Sequence, residues 1–529
     1  MAQPVPNPPK SILWVDDEGE LLEPHRIFLR SKGFAVEWAS NADDAVELLR
    51  RHSFDIMLLD EQMPGKRGLE AFRDVRELAP NLPVVMVTKS EEDSTLKEAI
   101  GVNVRDYLVK PVNPRQVLSV VTRILEGPRI RQQALARRFV ERFRAMELER
   151  DPNLDWRGWI ERFDELMRWD VDLAAAGEMG LYDSLRGLYA DMHREFAQFM
   201  SQEYPEWLRN LEGNRPPLSV DIVSEFLLPI MQRDRAAVFV VVDCLRLDQW
   251  RVLEPLLAPY FDVETTHYFA VLPTATPYSR NALFSGLFPG EIAARHPDLW
   301  GNPDREDESL NAHEKELLET HLEEITGSKV PVRYQKISTA GNSDELERHL
   351  GTAIAPEGIS AFVFNFVDLL THGRSESQIL YEVARDEIAL RQITRQWFQR
   401  SALFSVLKEA SRRKISVLLT TDHGSIHCNT PATVYAKRDA SSNLRYKFGE
   451  DLRAERPEQA LLFPHEDTLR LPRRGAGSNT LLATNDCFFV YPTKLREYQS
   501  RYRGSFLHGG VTPEEVILPL ALLTPTTRR

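Results

Sequence analysis

Four short stretches of this 529-residue chain carry side chains that bind divalent cations. VLLTTDHG holds Asp422 and His423, VFVVVD ends in Asp243, VFNFVDLLTH supplies Asp368 and His372, and SFLHGG supplies His508. A lone Asp-His-Gly is an ordinary turn. Here, however, three of the groups follow β-branched, apolar runs of the kind that form buried strands. A parallel sheet would deliver them to one rim, where α/β proteins present ligands. Asp368 and His372 lie four apart just past a strand, so a carboxylate and an imidazole can converge on one ion. Asp243, Asp422 and His423 serve a second ion. The result is two adjacent mixed N/O sites, a composition that suits zinc and is compatible with manganese.

Between Asp243 and Asp368 lies PTATPYSRNALFSG, Pro273 to Gly286. A threonine just ahead of a helix can have its hydroxyl ionised by a metal, while backbone N–H groups at the helix start stabilise the transition state. Thr274 and Thr276 both fit. From the residues alone the chemistry is hydrolysis of a phosphate ester, and no narrower substrate follows.

The order and spacing of these pieces over residues 236–525 resemble the alkaline phosphatase superfamily, and most nearly its PglZ branch. In that family an early Asp, a Ser or Thr nucleophile, a DxxxH, a DH pair and a late His build a two-metal site. The resemblance implies two zinc ions, with manganese as the alternative, on Asp243, Asp368, His372, Asp422, His423 and His508. In the superfamily's phosphodiesterases the reacting threonine lies ten residues before a glycine, as Thr276 lies before Gly286. Thr276 is therefore the expected nucleophile and Thr274 the alternative. Arg280 and Asn281 are expected to contact substrate phosphate. Lys447, Arg473 and Arg474, from a polar insert at 429–480, are further candidates, and a second, acidic insert spans 295–328.

A large α/β domain must position these groups, but the chain holds more than that. At roughly 100–200 residues per domain its length predicts about three domains. From Lys10, SILWV, AVEWA, DIMLLD, PVVMVT and DYLV read as five strands separated by amphipathic helical segments, which predicts a doubly wound, flavodoxin-like parallel sheet. The strand ends carry Asp16, Asp17, Asp60 and Thr88, and Lys110 follows the fifth strand. Three clustered carboxylates repel one another unless Mg²⁺ sits among them, and Thr88 with Lys110 could bind oxygens of a phosphoryl group on Asp60. VDDE, LLDEQMPG, VTKS and DYLVKP resemble the receiver domains of bacterial response regulators. That resemblance implies phosphorylation of Asp60 by a sensor histidine kinase and Mg²⁺ held by Asp16, Asp17, Asp60 and the backbone carbonyl of Gln62. It also implies a Thr88–Tyr107 switch that repacks the face of the fourth helix, fifth strand and fifth helix and promotes homodimers.

After Gly127-Pro128, apolar residues recur every three or four positions, which predicts an all-helical connector. The expected boundaries are 10–127 for the receiver, 128–218 for the connector and 219–529 for the metal domain. Trp156, Trp159, Trp169 and Trp207 are expected in the connector core. A net charge of -13 opposes broad attraction to nucleic acid, although a small nucleotide bound through metals remains compatible with it. Three scattered cysteines, Cys244, Cys428 and Cys487, form no disulfide framework and point to a reducing cytoplasm. Cys428 is expected as a small buried residue rather than a ligand. The opening MAQPVPNPPK lacks the apolar core of a signal peptide, and the absence of a long apolar run predicts no membrane span.

A receiver joined through a helical connector to a PglZ-type domain resembles the PorX-type response regulators. That family implies cleavage of cyclic and linear oligonucleotides and a link to type IX secretion. It also implies an extracytoplasmic-function sigma factor or a secretion component as partner. The competing expectation is a phosphorylation-controlled interaction protein whose metal site is mainly structural. An intact Thr276 speaks against it, because a structural site needs no nucleophile.

Overall fold

The five short apolar runs near the amino terminus form strands β1 (Ser11–Val15), β2 (Ala35–Ala39), β3 (Ile56–Asp60), β4 (Val84–Thr88) and β5 (Asp106–Val109). The computed structural model describes residues 9–89, 104–148, 151, 153–300, 311–373, 377–437, 443–475, 477–492 and 495–526. These divide into two compact units between Arg138 and Phe139. In the first unit all five strands are parallel in the order β2-β1-β3-β4-β5. Alternation along β1 sends Ile12 and Trp14 to one face, against Leu29 of α1 (Glu23–Ser31) and Val117 and Val121 of α4 (Pro114–Leu125). Leu13 and Val15 face the other way, toward Ala45 of α2 (Ala42–Arg51) and Phe72 and Val75 of α3 (Gly68–Leu78). Both faces are therefore covered, as a doubly wound sheet requires. The fourth receiver helix expected within 90–103 lies outside the described residues, and α4 here is the helix after β5.

The connector sequence forms α5 (Gly127–Leu148), α6 (Trp156–Ala176) and α7 (Met179–Arg209). Asp155 caps α6 by accepting from the Gly158 N–H, and Gly177 ends it with φ +72°. The pair α6–α7 packs through aromatics, with the Trp159 and Phe196 rings 5.2 Å apart. Trp159, Trp169 and Trp207 are buried as expected. Trp156 is only half-buried, with the Arg157 guanidinium 4.0 Å above its ring.

Beyond the connector, α/β alternation returns. In chain order it gives β6 (Ala236–Val242), α8 (Leu247–Leu253), β7 (Phe261–Phe269), α9 (Thr276–Ser285), α10 (Glu314–Thr326), β8 (Val332–Ile337) and β9 (Gly358–Phe364). Then follow α11 (Phe366–Gly373), α12 (Glu387–Gln399), β10 (Val417–Thr420) and β11 (Ile517–Pro525). The sheet order is β7-β11-β10-β6-β9-β8. Strands β10, β6, β9 and β8 are mutually parallel, whereas β11 runs antiparallel to both of its neighbours. AAVFVVV in β6 is buried at every position, which explains its unbroken apolar run. Between β10 and β11 the described residues form two three-stranded sheets and a two-stranded ladder joining Ile426–Cys428 to Ser505–Leu507, so the polar insert pairs with strands that flank it. All three cysteines are buried and unbridged. No helix among the described residues is long and apolar enough to cross a membrane.

Candidate functional site

The carboxyl ends of β6, β9 and β10 lie side by side, and the segments that follow them carry five of the six expected ligands, while His508 comes from the loop after the Ser505–Leu507 strand. Asp243, Asp422 and His423 form one compact group of donor atoms, and Asp368, His372 and His508 form a second. In the first, His423 Nε2 lies 3.7 Å from a carboxylate oxygen of each aspartate. In the second, Asp368 Oδ1 is 3.3 Å from His372 Nε2 and 3.8 Å from His508 Nε2. The two Nε2 atoms of this pair are themselves only 3.1 Å apart. The groups adjoin, because the His423 and His508 rings stack at 4.2 Å. Asp243 Oδ1 and Asp368 Oδ1 are buried without a hydrogen-bond partner, one in each group. Buried carboxylate oxygens left without donors fit a pair of divalent cations. Burial, with His423 and His372 nearby, pushes His508 down to about 3, which keeps its imidazole neutral and able to ligate. Burial also drives the Asp243 carboxyl well up, while Arg280, against the burial, holds Asp422 below its ordinary value.

Thr276 and Thr274 separate cleanly. Thr276 opens α9, and its Oγ1 lies 2.9 Å from His423 Nε2. The Thr274 hydroxyl instead donates to the Gly510 carbonyl at 2.9 Å and accepts the Gly509 N–H at 3.1 Å. Together with a contact of 3.2 Å between its own carbonyl and His508 Nδ1, this makes Thr274 a tie between the α9 entry and the His508 loop. Gly286 closes α9 in the left-handed region, φ +66°, where a side chain would be strained. The expected cradle of N–H groups at the start of α9 is not formed. Pro277 has none, and those of Tyr278 and Ser279 donate to the Ala275 carbonyl, which leaves the N–H of Thr276 itself.

At the β1 and β3 ends of the first unit, Asp16, Asp17 and Asp60 form a third group able to hold a cation. Lys110 Nζ lies 2.7 Å from Asp60 and 2.9 Å from Asp16. Burial pushes the Asp60 carboxyl up, against the pull of Lys110. The Gln62 N–H donates to Asp60 at 3.3 Å, so its loop folds back over the acid. Thr88 is buried at the end of β4, and Tyr107 on β5 is 45% exposed.

Three family models match successive parts of the chain. A response regulator receiver model covers residues 12–122, a PorX response regulator linker model covers 129–208, and the BREX-system PglZ alkaline phosphatase-like model covers 222–523, more than half of the chain. The chain belongs to the PglZ alkaline phosphatase-like family. Its three matches together describe a PorX-type response regulator. Among curated relatives, the Bacillus subtilis transcriptional regulatory protein ResD is 34% identical over 22% of this chain and 47% of its own. The Pseudomonas putida alginate biosynthesis regulator AlgB is 37% identical over 22% of this chain and 26% of its own. The chain thus spans at most about half the length of these relatives. A CheY-like receiver domain structure from Methanospirillum hungatei, 28% identical, covers 22% of this chain and 94% of its own with a TM-score of 0.22. The fold is therefore a flavodoxin-like receiver, a helical linker and an alkaline phosphatase-like α/β domain, the last being the fold of phosphoesterase-type hydrolases.

Two expected substrate contacts in the PglZ domain need correction. Arg280 is fully buried beneath the ligands, ion-paired to Asp243, to Asp422 at 2.9 Å and to Glu314 at 3.4 Å. It braces the carboxylates rather than meeting substrate. Asn281 is also buried, donating to the Pro277 carbonyl at 3.0 Å and accepting from Asn311 at 3.1 Å. Lys447 is buried with its ammonium 5.1 Å over the Tyr491 ring, and Arg473 pairs with Asp467 at the surface. Arg474 reaches the α9 wall, donating to the Tyr278 hydroxyl at 3.0 Å. Sequence reading missed Asn311, whose amide holds the Thr276 carbonyl at 3.3 Å, and Glu314 on α10. Within an acidic insert nothing in EKELLET distinguishes the buried glutamate from its exposed neighbours. It also missed the fully buried pair Arg445–Glu515, which with the Gly510 N–H at 2.8 Å fixes the His508 loop.

Proposed function

We propose that the chain is a two-component response regulator in which a phosphoryl group on Asp60 controls a two-metal phosphodiesterase in the PglZ domain. The observation that carries the hydrolase reading is the convergence of two ligand triads with the Thr276 hydroxyl 2.9 Å from His423. Zinc ions on Asp243, Asp422 and His423 and on Asp368, His372 and His508, or manganese in their place, would supply Lewis-acid stabilisation of developing charge. Thr276 is the nucleophile: its hydroxyl gives its proton to water, and Oγ1 bonds to phosphorus as the bond to the leaving alkoxide breaks. The alkoxide takes a proton from water, and a second water then cleaves the phosphothreonine and restores the hydroxyl. The N–H of Thr276 and the positive end of α9 favour an anionic phosphoryl group there. Cyclic and linear oligonucleotides are the substrates that the family likeness favours. The chain's net charge of -13 is compatible with a small nucleotide held through metals.

In the receiver, Asp60 accepts phosphoryl from a sensor histidine kinase and Lys110 neutralises the added charge; Asp16, Asp17, Asp60 and the backbone carbonyl of Gln62 would hold a Mg²⁺ ion that shields the incoming phosphoryl oxygens. Thr88 and Tyr107 then reposition, and two chains associate. The remaining assignments rest on family likeness: a cytoplasmic place, a link to type IX secretion and a sigma factor or secretion component as partner. The deciding experiment measures hydrolysis of bis-p-nitrophenyl phosphate and metal content in the native protein and in Thr276→Val. Loss of turnover with metal retained is expected, and unchanged turnover would overturn the nucleophile. Sedimentation with beryllofluoride tests the dimer, whose mass must rise.

A further inference from the structure

Two buried polar links join the connector helices to the loops that carry the metal ligands. The first starts at Asp170 on α6, which is ion-paired to Arg391 on α12. Arg391 Nη1 also donates to Asp248 at 2.9 Å, and Asp248 accepts from Arg246 Nε at 2.9 Å. Arg246 lies three residues past Asp243, and its Nη1 donates at 3.0 Å to the carbonyl of Ser425, two residues past His423. Asp170, Arg391, Asp248 and Arg246 are each no more than 6% exposed.

The second link starts at His193 on α7, whose Nε2 meets the Glu514 carboxylate at 2.8 and 3.0 Å. The Glu514 carbonyl packs so closely on Gly424 that a Cβ there would lie 1.9 Å from it. The next residue, Glu515, accepts the Gly510 N–H beside His508. Between the two links lies a cavity of about 390 Å³, lined by Asp170, His193, Arg246, Glu387, His427 and Glu514 among others.

Buried charges tolerate little misalignment. Removing one partner leaves the other unpaired in low dielectric, so the helices and the loops they hold occupy one relative position. Neither Asp170 nor His193 touches a ligand or the Thr276 hydroxyl, and each reaches the site through another side chain. We propose that Asp170 and His193 are positioning residues of the hydrolase, through which the connector sets the geometry of the His423 and His508 loops. The proposal rests on the phosphoesterase reading for its kinetic consequence and on the ligand geometry alone for its effect on metal affinity.

The test uses the full chain and the variants Asp170→Ala, His193→Ala and His193→Gln, the last keeping a donor where Nε2 now stands. Three quantities are read: thermal unfolding, Zn²⁺ affinity by competition with a chromophoric chelator, and kcat and KM for bis-p-nitrophenyl phosphate. Folded alanine variants are expected to lose about 10-fold in Zn²⁺ affinity and at least about 10-fold in kcat, with KM within about twofold. His193→Gln is expected to restore most of both. Folded alanine variants with native affinity and kcat would overturn the proposal, as would an equal loss in His193→Gln. Should the alanine variants fail to fold, His193→Gln and Asp170→Asn carry the comparison, with Asp170→Asn expected to show the same pattern of losses at smaller size. If the native chain hydrolyses nothing, the phosphoesterase reading has failed, and the affinity measurement still decides whether the links position the ligands.

Discussion

The two units gather carboxylates at the same place, the carboxyl ends of parallel strands, and balance them in different ways. In the receiver, Asp16, Asp17 and Asp60 face a lysine, with Lys110 Nζ within 2.9 Å of two of them. In the PglZ domain three aspartates are matched by three imidazoles and by a buried guanidinium. A lysine ammonium is mobile and compact, so one carboxylate there can accept a group and later release it. Imidazoles and a fork-shaped guanidinium fix positions, which suits a site that must be identical in every turnover. On the proposed reading the acceptor differs accordingly: in the receiver it would be one of the acids, whereas in the PglZ domain it would be a separate hydroxyl. Similar sheet geometry would then support a site for holding a group in one unit and a site for passing it on in the other.

Metal exchange should break this comparison most sharply. Stripping the protein with a chelator is expected to abolish diester hydrolysis. Zn²⁺ or Mn²⁺ should restore it where Mg²⁺ alone does not, because imidazole-rich sites bind Mg²⁺ poorly; turnover assays after dialysis against each ion check this. Next in size, Thr276→Val should lower kcat by at least about 10³-fold, while Asp60→Asn should leave basal hydrolysis intact but eliminate labelling by acetyl phosphate. Each variant silences one unit only.

Smaller effects sharpen the contrast. Arg280→Met removes the brace from Asp243 and Asp422, and calorimetric titration should show Zn²⁺ affinity reduced by about 10- to 100-fold. Two buried groups, one in each unit, titrate with opposite sign. Burial pushes His267 in β7 down to about 4, so its contribution to stability is full above its ordinary value of 6.5 and is lost as pH falls toward 4. The raised Asp60 carboxyl instead contributes fully below the ordinary 3.8 and loses that contribution as pH rises through its folded value. Unfolding of metal-free protein at pH 7 and pH 5 should therefore show His267→Gln less acid-sensitive than the native chain. Smallest of all, Thr274→Val should cost about 1–3 kcal/mol of stability in chemical denaturation, with kcat reduced but not lost, because it unties the His508 loop without removing the nucleophile.

Much of this was legible before any coordinates. The central strands β1, β3 and β4 announced themselves because a sheet covered on both faces needs apolar residues throughout its middle, and the candidate ligands stood out because several Asp and His residues follow such runs. The arginine was misjudged for the opposite reason. A guanidinium four residues past Thr276 satisfies a substrate contact and a buried brace equally well, and only the position of Glu314 on α10 distinguishes them. Asn281, Arg445, Glu515 and the Asp170–Arg391–Asp248 chain were obscured in the same way. Each is meaningful through a partner tens or hundreds of residues away, and a single sequence carries no mark of that pairing. Trp156, at the first position of α6, is less buried than the other three tryptophans, with the Arg157 guanidinium over its ring.

Glu314 gives the acidic insert a role that reaches beyond shaping an entrance. Its carboxylate also takes the Tyr334 hydroxyl at 2.5 Å and Lys336 at 3.3 Å, so α10 is stitched to β8 as well as to Arg280. Swapping this insert for a relative's loop without an equivalent acid would leave the Arg280 guanidinium one carboxylate short against Asp243 and Asp422, in competition with any ion those two hold. Loop and ligands must therefore be inherited as one block, with α10 kept in place.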